Sequence, residues 1–134
     1  MSRKGKGTNA ERELIHMFWG RGLACIRVAG SGSSGYPSPD IIVGNNALKA
    51  VIECKVSKGK YQYFSKEEIA ELRKFADKFV AEPYAAVKFN HIGWFFLELS
   101  SLEETDRNFA VTPEKAKKNG LSFEDFIAKF NSSS

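Results

Sequence analysis

Cysteine and histidine are scarce in this chain of 134 residues, which contains two of each. Both cysteines, Cys25 and Cys54, lie inside apolar runs, which is typical of small buried side chains in a reducing compartment. Neither cysteine has the spacing of a metal ligand relative to His16 or His91, so the sequence argues against a zinc site.

Long apolar runs are also missing, since no stretch of the sequence approaches the length needed to cross a membrane. The basic start of the chain leads into polar residues rather than an apolar segment, so we do not expect a signal peptide. The sequence therefore predicts a cytoplasmic protein with no membrane partner.

Positive charge, by contrast, is concentrated in one half of the chain. Residues 1–60 contain ten Lys or Arg against four Asp or Glu, whereas residues 61–134 contain ten against twelve. A basic region of this kind is typical of a protein that binds a polyanion, most often nucleic acid. A soluble basic domain without such a partner would have the same composition.

The hydrophobic pattern predicts one α/β domain over residues 1–134, with a central mixed sheet flanked by helices. Residues 1–8 are expected to form a mobile basic arm, and residues 131–134 a loose tail. The predicted elements, in chain order, are a helix from Thr8 or Asn9 to about Arg21, strands at 23–28, 39–44 and 48–56, a helix from Ser65 to about Phe79, strands at 84–89, 93–99 and 109–112, and a helix at 122–130. Gly22 is the expected stop of the first helix, and Ser65 with Glu68 forms a capping box at the start of the second, whose apolar stripe begins at Ile69.

Charged residues interrupt two of these predicted strands. Asp40 stands at the start of one strand, and Glu53 and Lys55 stand in the next. Burying an unpartnered charge is costly, so charges retained in buried strands are expected to have a function. Glu53 and Lys55 are two positions apart and leave the same face of the strand, about 6.5 Å apart along it.

Pairing of the two strands would bring Asp40 beside Glu53, and two carboxylates with an amine suit a magnesium ion that holds a phosphate. The order Pro-Asp, a gap, then Glu-x-Lys is the signature of the PD-(D/E)xK nuclease superfamily. Alternatively, Asp40 is a turn residue after Pro39, and Glu53 and Lys55 are a solvated pair. The apolar Val51 on the Glu53 face favours the nuclease interpretation.

Glu11 is a further charged residue in an unusual position. On the first predicted helix it shares a face with Leu14 or Ile15 and with Phe18, because positions three and four apart stack. It therefore points towards the core. Complementing the helix dipole would explain Glu13, which faces away, better than it explains Glu11.

A set of short motifs, taken in order from Arg3 to about Leu99, resembles the archaeal Holliday junction resolvases. The matching segments are Arg3-Lys4-Gly5, Ala10-Glu11-Arg12-Glu13-Leu14, Arg27-x-Ala29-Gly30-Ser31, Pro39-Asp40, Glu53-x-Lys55, and Ala86-Val87-Lys88-Phe89 with Gly93-Trp94. The resemblance implies a restriction-endonuclease-like fold and a homodimer that binds four-way junction DNA, at the nucleoid, in recombination and repair. It implies symmetric nicking of opposing strands at one Mg²⁺ site per subunit, with Mn²⁺ as a substitute.

The resemblance also implies roles for individual residues. Asp40 and Glu53 would be metal ligands, Glu11 would complete the acidic site directly or through water, and Lys55 would orient the attacking water or help to deprotonate it. The groups implied to hold the scissile phosphate or the DNA are Arg12, Arg27, Lys4 and Lys6.

Residues 29–38 contain three glycines and four serines, which predicts a flexible loop leading directly to Asp40. We expect Ser31 or Ser33 to contact DNA and to become ordered only on binding, although a plain linker has a similar composition. Two functional alternatives remain. One is another PD-(D/E)xK DNA endonuclease, and the other is a non-catalytic junction-binding dimer.

Overall fold

The structure is a computed structural model that describes residues 3–29 and 35–131, with side chains from residue 9 onward. Within these residues, four α-helices, eight strands and one 3₁₀ turn follow one another. They are α1 (Arg3–Trp19), β1 (Ala24–Arg27), β2 (Ile41–Gly44), β3 (Lys49–Ser57), β4 (Gln62–Ser65), α2 (Lys66–Phe79), β5 (Glu82–Phe89), β6 (Gly93–Glu98), a 3₁₀ turn (Leu99–Ser101), β7 (Glu103–Glu104), β8 (Asn108–Val111), α3 (Pro113–Asn119) and α4 (Phe123–Asn131).

The central sheet has five strands in the order β1-β2-β3-β5-β6. Only the β3–β5 pair is parallel, and the other three pairs are antiparallel. A parallel connection requires a long crossover, and α2 lies within it. The predicted mixed sheet flanked by helices is therefore confirmed.

Hydrophobic clusters cover both faces of this sheet. One cluster contains residues of α1 and α4, including Phe18 and Phe126, and packs against Ile52 of β3. The other contains residues of α2, β4 and β8 and packs against Val51. Because side chains alternate along β3, Glu53 and Lys55 lie on the Val51 face, which is the α2 face. No described helix is long and apolar enough to cross a membrane.

The first helix starts earlier than predicted. It begins at Arg3 rather than at Thr8 or Asn9, so residues 3–7, expected as an arm, are helical in their backbone. The glycines in this segment disfavour a helix locally, but each residue added to an anchored helix costs less than starting a new one. The helix ends at Trp19, and Gly22, the predicted stop, has a positive φ of 82°.

Three elements were missing from the prediction: β4, β7 and α3. The strands β4, β8 and β7 form a small antiparallel sheet in which Phe64 of β4 is fully buried. Of the aromatic residues before α2, Phe64 therefore contributes to packing, whereas Tyr61 and Tyr63 are exposed. Strand β5 also begins at Glu82, and Pro83, expected to precede it, pairs with Val51 in the parallel ladder. The last helix ends at Asn131, and residues 132–134 of the predicted tail lie outside the described residues.

Candidate active site

Asp40 and Glu53 meet where β2 begins. In the β2–β3 ladder Ile41 pairs with Ile52, so the register places Asp40 opposite Glu53 at the next position. The backbone N–H of Asp40 donates to the carbonyl of Ile52 over 3.0 Å, which continues the ladder through this point. The adjacency predicted from the two strands is therefore observed.

The Asp40 carboxylate is fixed by the backbone of β3. Its Oδ2 accepts a hydrogen bond of 2.9 Å from the N–H of Cys54, and its carbonyl accepts one of 2.8 Å from the N–H of Val28. A turn residue would not be held by strands on both sides. Asp40 is thus positioned by β1 and β3 together, and the simple turn interpretation does not account for these contacts.

Glu53 is half-buried beside like charges. Burial is the main cause that raises its pKa from 4.5 to about 9, and the neighbouring Asp40 and Glu68 carboxylates add to the shift, while Lys55 opposes it. Two carboxylates this close do not both ionise easily without a cation between them. The donor set therefore fits a hard divalent cation, which takes carboxylate oxygens as ligands.

Lys55 is held by a residue of the next helix. Its Nζ lies 2.8 Å from Oε2 of Glu68, in the first turn of α2, and 5.8 Å from the ring centre of Phe64. The two side chains of the ion pair are 29% and 31% exposed, so water screens the pair only partly. This contact fixes the amine on the same face as Glu53.

Glu11 forms a second half-buried ion pair near Asp40, with Arg27 of β1. Arg27 Nε donates to Glu11 Oε1 over 2.9 Å, and the two side chains are 27% and 17% exposed. Burial and the Asp40 charge raise the pKa of Glu11, while Arg27 opposes the shift. Glu11 thus lies near Asp40, as predicted, but its carboxylate is paired with the strand arginine.

The remaining predicted site residues are less well placed by the structure. Arg12 is exposed on α1, next to Glu11. The side chains of Lys4 and Lys6 and the whole of Ser31 and Ser33 lie outside what the structure describes. Within residues 3–29 and 35–131, no three His, Cys, Asp or Glu residues come close enough together to form a metal site. The predicted three-carboxylate ligand set is not assembled in this structure.

Glu68 is the site residue that the sequence analysis did not identify. It was assigned only as the second partner of the Ser65 capping box, and this box is indeed present. The residue lies 13 positions after Lys55, and only the packing of α2 against β3 brings the two together. An acidic residue in the helix after a Glu-x-Lys strand was the available signal.

The central mixed sheet, with Asp40 opposite Glu53 where β2 begins and Lys55 on the same face of β3, defines this chain as a nuclease-like α/β domain of the PD-(D/E)xK type. The sequence model of the family described as archaeal Holliday junction resolvase (Hjc) matches residues 2–134. The chain therefore belongs to the archaeal Holliday junction resolvase family.

Individual relatives agree with this assignment. The chain is 41% identical over 127 residues to a crossover junction endodeoxyribonuclease Hjc of Archaeoglobus fulgidus, covering 95% of this chain and 93% of the relative. A protein of the same description from Methanocaldococcus jannaschii is 32% identical, with 92% and 88% coverage. The crystal structure of Archaeoglobus fulgidus Hjc, a Holliday junction resolvase, superimposes with a TM-score of 0.85 at 38% identity, covering 91% and 98% of the two chains.

Proposed function

We propose that this chain, an endonuclease of the Holliday junction resolvase family, resolves four-way DNA junctions by nicking two opposing strands symmetrically, in recombination and repair. The observation that carries the proposal is that Asp40, Glu53 and Lys55 lie together where β2 begins, in a chain of this family. Hydrolysis of a phosphodiester needs charge stabilisation and an activated water, and these are the residue types that provide both.

Membership of this nuclease family implies a divalent metal, and we propose Mg²⁺, with Mn²⁺ as a substitute. Asp40 and Glu53 would hold it, and Glu11 would contribute directly or through a water molecule. When bound, the cation would polarise the phosphate and lower the pKa of a coordinated water. The fit is supported by the raised pKa of Glu53, because a bound cation would offset both its burial and its repulsion by Asp40 and Glu68.

The chain's own residues would do the rest. Asp40, whose Oδ2 accepts from the Cys54 N–H, would hold the metal from a fixed position. Lys55 would orient the attacking water or help to deprotonate it. Arg27, with its Nε already bound to Glu11, retains further guanidinium donors with which it would bind the scissile phosphate.

Arg12, Lys4 and Lys6 would contact the DNA backbone, since all three are basic residues on α1. We further propose that Ser31 or Ser33 contacts the DNA. Two symmetric nicks require two sites, so we propose a homodimer with one site per subunit. Because its substrate is chromosomal DNA, we place the protein in the cytoplasm, at the nucleoid.

The experiment is cleavage of a labelled synthetic four-way junction beside a linear duplex with the same arm sequences. Each substrate is incubated with Mg²⁺, with Mn²⁺ and with a chelator, and the products are resolved on denaturing and native gels. We expect paired nicks on opposing strands of the junction alone, and no product in the chelator.

Two outcomes would replace the proposal. Equal cutting of the duplex would show a general PD-(D/E)xK endonuclease. Tight junction binding with no metal-dependent product would show a non-catalytic binding protein. The dimer is tested separately by the sedimentation velocity of the free protein, and a monomer that stays monomeric on the junction would contradict it.

A further inference from the structure

We propose that Glu68 of α2 is the positioning residue for Lys55, and that the Ser65 backbone N–H of the capping box holds the Glu68 carboxylate that fixes the lysine amine. The inference rests on the proposed function, because it assigns a partner to a lysine that is expected to act on the attacking water. It concerns a contact between β3, a strand of the central sheet, and α2, the helix that packs on that sheet.

Glu68 is held at both oxygens. Its Oε1 accepts a hydrogen bond of 2.8 Å from the backbone N–H of Ser65, and its Oε2 accepts one of 2.8 Å from Lys55 Nζ. The Ser65 hydroxyl in turn accepts from the N–H of Glu68 over 2.9 Å. A carboxylate in a capping box has little rotational freedom, so its second oxygen presents a fixed acceptor to the lysine.

The helix that carries Glu68 is itself fixed. Ile69 and Leu72, which follow Glu68 on α2, are almost fully buried in the cluster on this face of the sheet. The same cluster includes Val51 of β3, the strand that carries Lys55. Close packing therefore fixes α2 against β3, and within that frame the Glu68 charge holds the Lys55 amine.

The Lys55–Glu68 pair differs from the other ion pairs of the described residues. In the Arg21–Glu124, Lys66–Glu104 and Lys115–Glu103 pairs, the partners are 37% to 69% exposed. Exposed pairs of this kind contribute little, because water and salt screen them. Among the ion pairs that the structure describes, only Lys55–Glu68 and Arg27–Glu11 have both partners less than a third exposed, and both pairs lie beside Asp40 and Glu53.

Positioning has a direct chemical use here. An ammonium group has three donors, and one is taken by Glu68. The remaining two are left for a water or a phosphate oxygen on the Glu53 face. A free lysine has a flexible four-carbon stem and would sample many positions, whereas a fixed one gives the near-attack geometry that accelerates a reaction.

The test compares Glu68→Gln with two control variants. Glutamine keeps the size of the side chain and its oxygen acceptor for Ser65, but it removes the charge that holds Lys55. Glu67→Gln removes an exposed charge from the same helix turn without touching the lysine. Ser65→Ala removes the hydroxyl that accepts from the Glu68 N–H. It keeps the Ser65 backbone N–H that holds Glu68 Oε1, so the Glu68–Lys55 contact remains.

The measurements are single-turnover cleavage of a labelled junction at saturating metal, the protein concentration at half-maximal rate, and the melting temperature of each variant. We expect Glu68→Gln to lower the maximal rate about tenfold or more, with the half-saturating concentration unchanged within about twofold. Glu67→Gln should cut at the wild-type rate, and Ser65→Ala should melt earlier but cut at a near wild-type rate.

The outcomes separate the inference from the function on which it depends. Wild-type protein that does not cut the junction contradicts the proposed function itself. Wild-type cutting with equal rates for Glu68→Gln and Glu67→Gln overturns the role of Glu68 alone. A Glu68→Gln variant that loses affinity rather than maximal rate would also overturn it, because a positioning residue acts on the reaction step.

Discussion

The two halves of β3 have opposite chemistry within one continuous strand. Ala50, Val51 and Ile52 are fully buried and apolar, and they pack into the clusters on both sheet faces. Glu53 and Lys55 come next on one face, are half-buried, and have ionisable side chains. Each buried aliphatic side chain stabilises the fold by about 1.5–3 kcal/mol, whereas partial burial of Glu53 is unfavourable.

This difference indicates that the buried half of β3 stabilises the charged half. The apolar residues fix the strand between β2 and β5, so that Glu53 and Lys55 stay in place despite their cost. The half-buried Arg27–Glu11 and Lys55–Glu68 ion pairs then neutralise the charges that surround Asp40 and Glu53. We therefore expect changes in the apolar core to lower stability, and changes at the candidate site to affect cleavage or the pH dependence of stability.

The largest expected effect is on cleavage, from Asp40→Asn. Asparagine retains an oxygen that can accept from the Cys54 N–H, so the fold should persist, but the negative charge for the metal is lost. We expect the single-turnover cleavage rate to fall about 10³-fold or more, since metal stabilisation is worth several kcal/mol.

Junction affinity and the melting temperature are the controls for this variant. Basic residues supply most affinity for nucleic acid, so binding should change by less than about threefold. A variant that loses junction binding along with cleavage would require another role for Asp40.

In the apolar region, Phe126→Ala should have the largest effect on stability. The Phe126 ring stacks on Phe96 with centroids 4.3 Å apart and meets Tyr84 edge-on at 4.9 Å. Removing it leaves a cavity between α4 and the sheet, and we expect a loss of about 3–5 kcal/mol in the free energy of unfolding, measured with urea.

Ile92→Ala is the matched control, because Ile92 is 44% exposed in the β5–β6 turn. Its truncation should cost only about 0.5 kcal/mol. Similar losses of unfolding free energy at both positions would contradict the distinction between the buried core and the exposed surface.

Glu53→Gln should change how stability depends on pH. Because the folded pKa of about 9 is above the unfolded value of 4.5, the folded protein holds this proton more tightly than the unfolded chain does. Without metal, wild-type stability is therefore highest below pH 4.5 in respect of this group and falls as pH rises towards 9. The slope has an upper limit of about 1.4 kcal/mol per pH unit.

Glutamine has no proton to lose, so this part of the slope should vanish and Glu53→Gln should be the more stable protein at pH 8. Adding Mg²⁺ at pH 8 should stabilise the wild type more than the variant, since a cation favours the ionised carboxylate. Urea unfolding between pH 5 and pH 9, with and without metal, measures both effects. Parallel pH profiles for the two proteins would show that Glu53 is not strained by burial.

The smallest effect is expected at an exposed ion pair far from β3. Arg21 contacts Glu124 at 2.6 Å, but the two side chains are 41% and 69% exposed. Glu124→Gln should change the free energy of unfolding by less than about 0.5 kcal/mol and leave cleavage unchanged. A larger loss would mean that short distance alone, without burial, gives an ion pair its strength.

Much of the fold was predictable because its elements have local signals. The Ser65 capping box and the apolar stripe starting at Ile69 correctly predicted where α2 begins and which face it buries. By contrast, β4 was missed because its aromatic residues have no clear alternation, and it becomes a strand by pairing with β8, more than forty residues later in the chain. Its prediction depended on a partner that local pattern does not indicate.

The candidate site divides in the same way. The sequence by itself determined that Asp40, Glu53 and Lys55 are charges within apolar strands, and the two-residue period determined that Glu53 and Lys55 share a face. These are consequences of backbone geometry and of the cost of burying charge. The assigned catalytic roles of these residues stay predictions.

Only the tertiary structure decided the partner of each charge. It paired Glu11 with Arg27, sixteen residues away, and Lys55 with Glu68, on a helix that the sequence analysis had treated only as a capped element. Side chains so far apart in the chain meet only when helices α1 and α2 pack on opposite faces of one sheet. That packing is driven by non-directional burial of apolar surface, so it appears in the sequence as a hydrophobic pattern and never as a named contact.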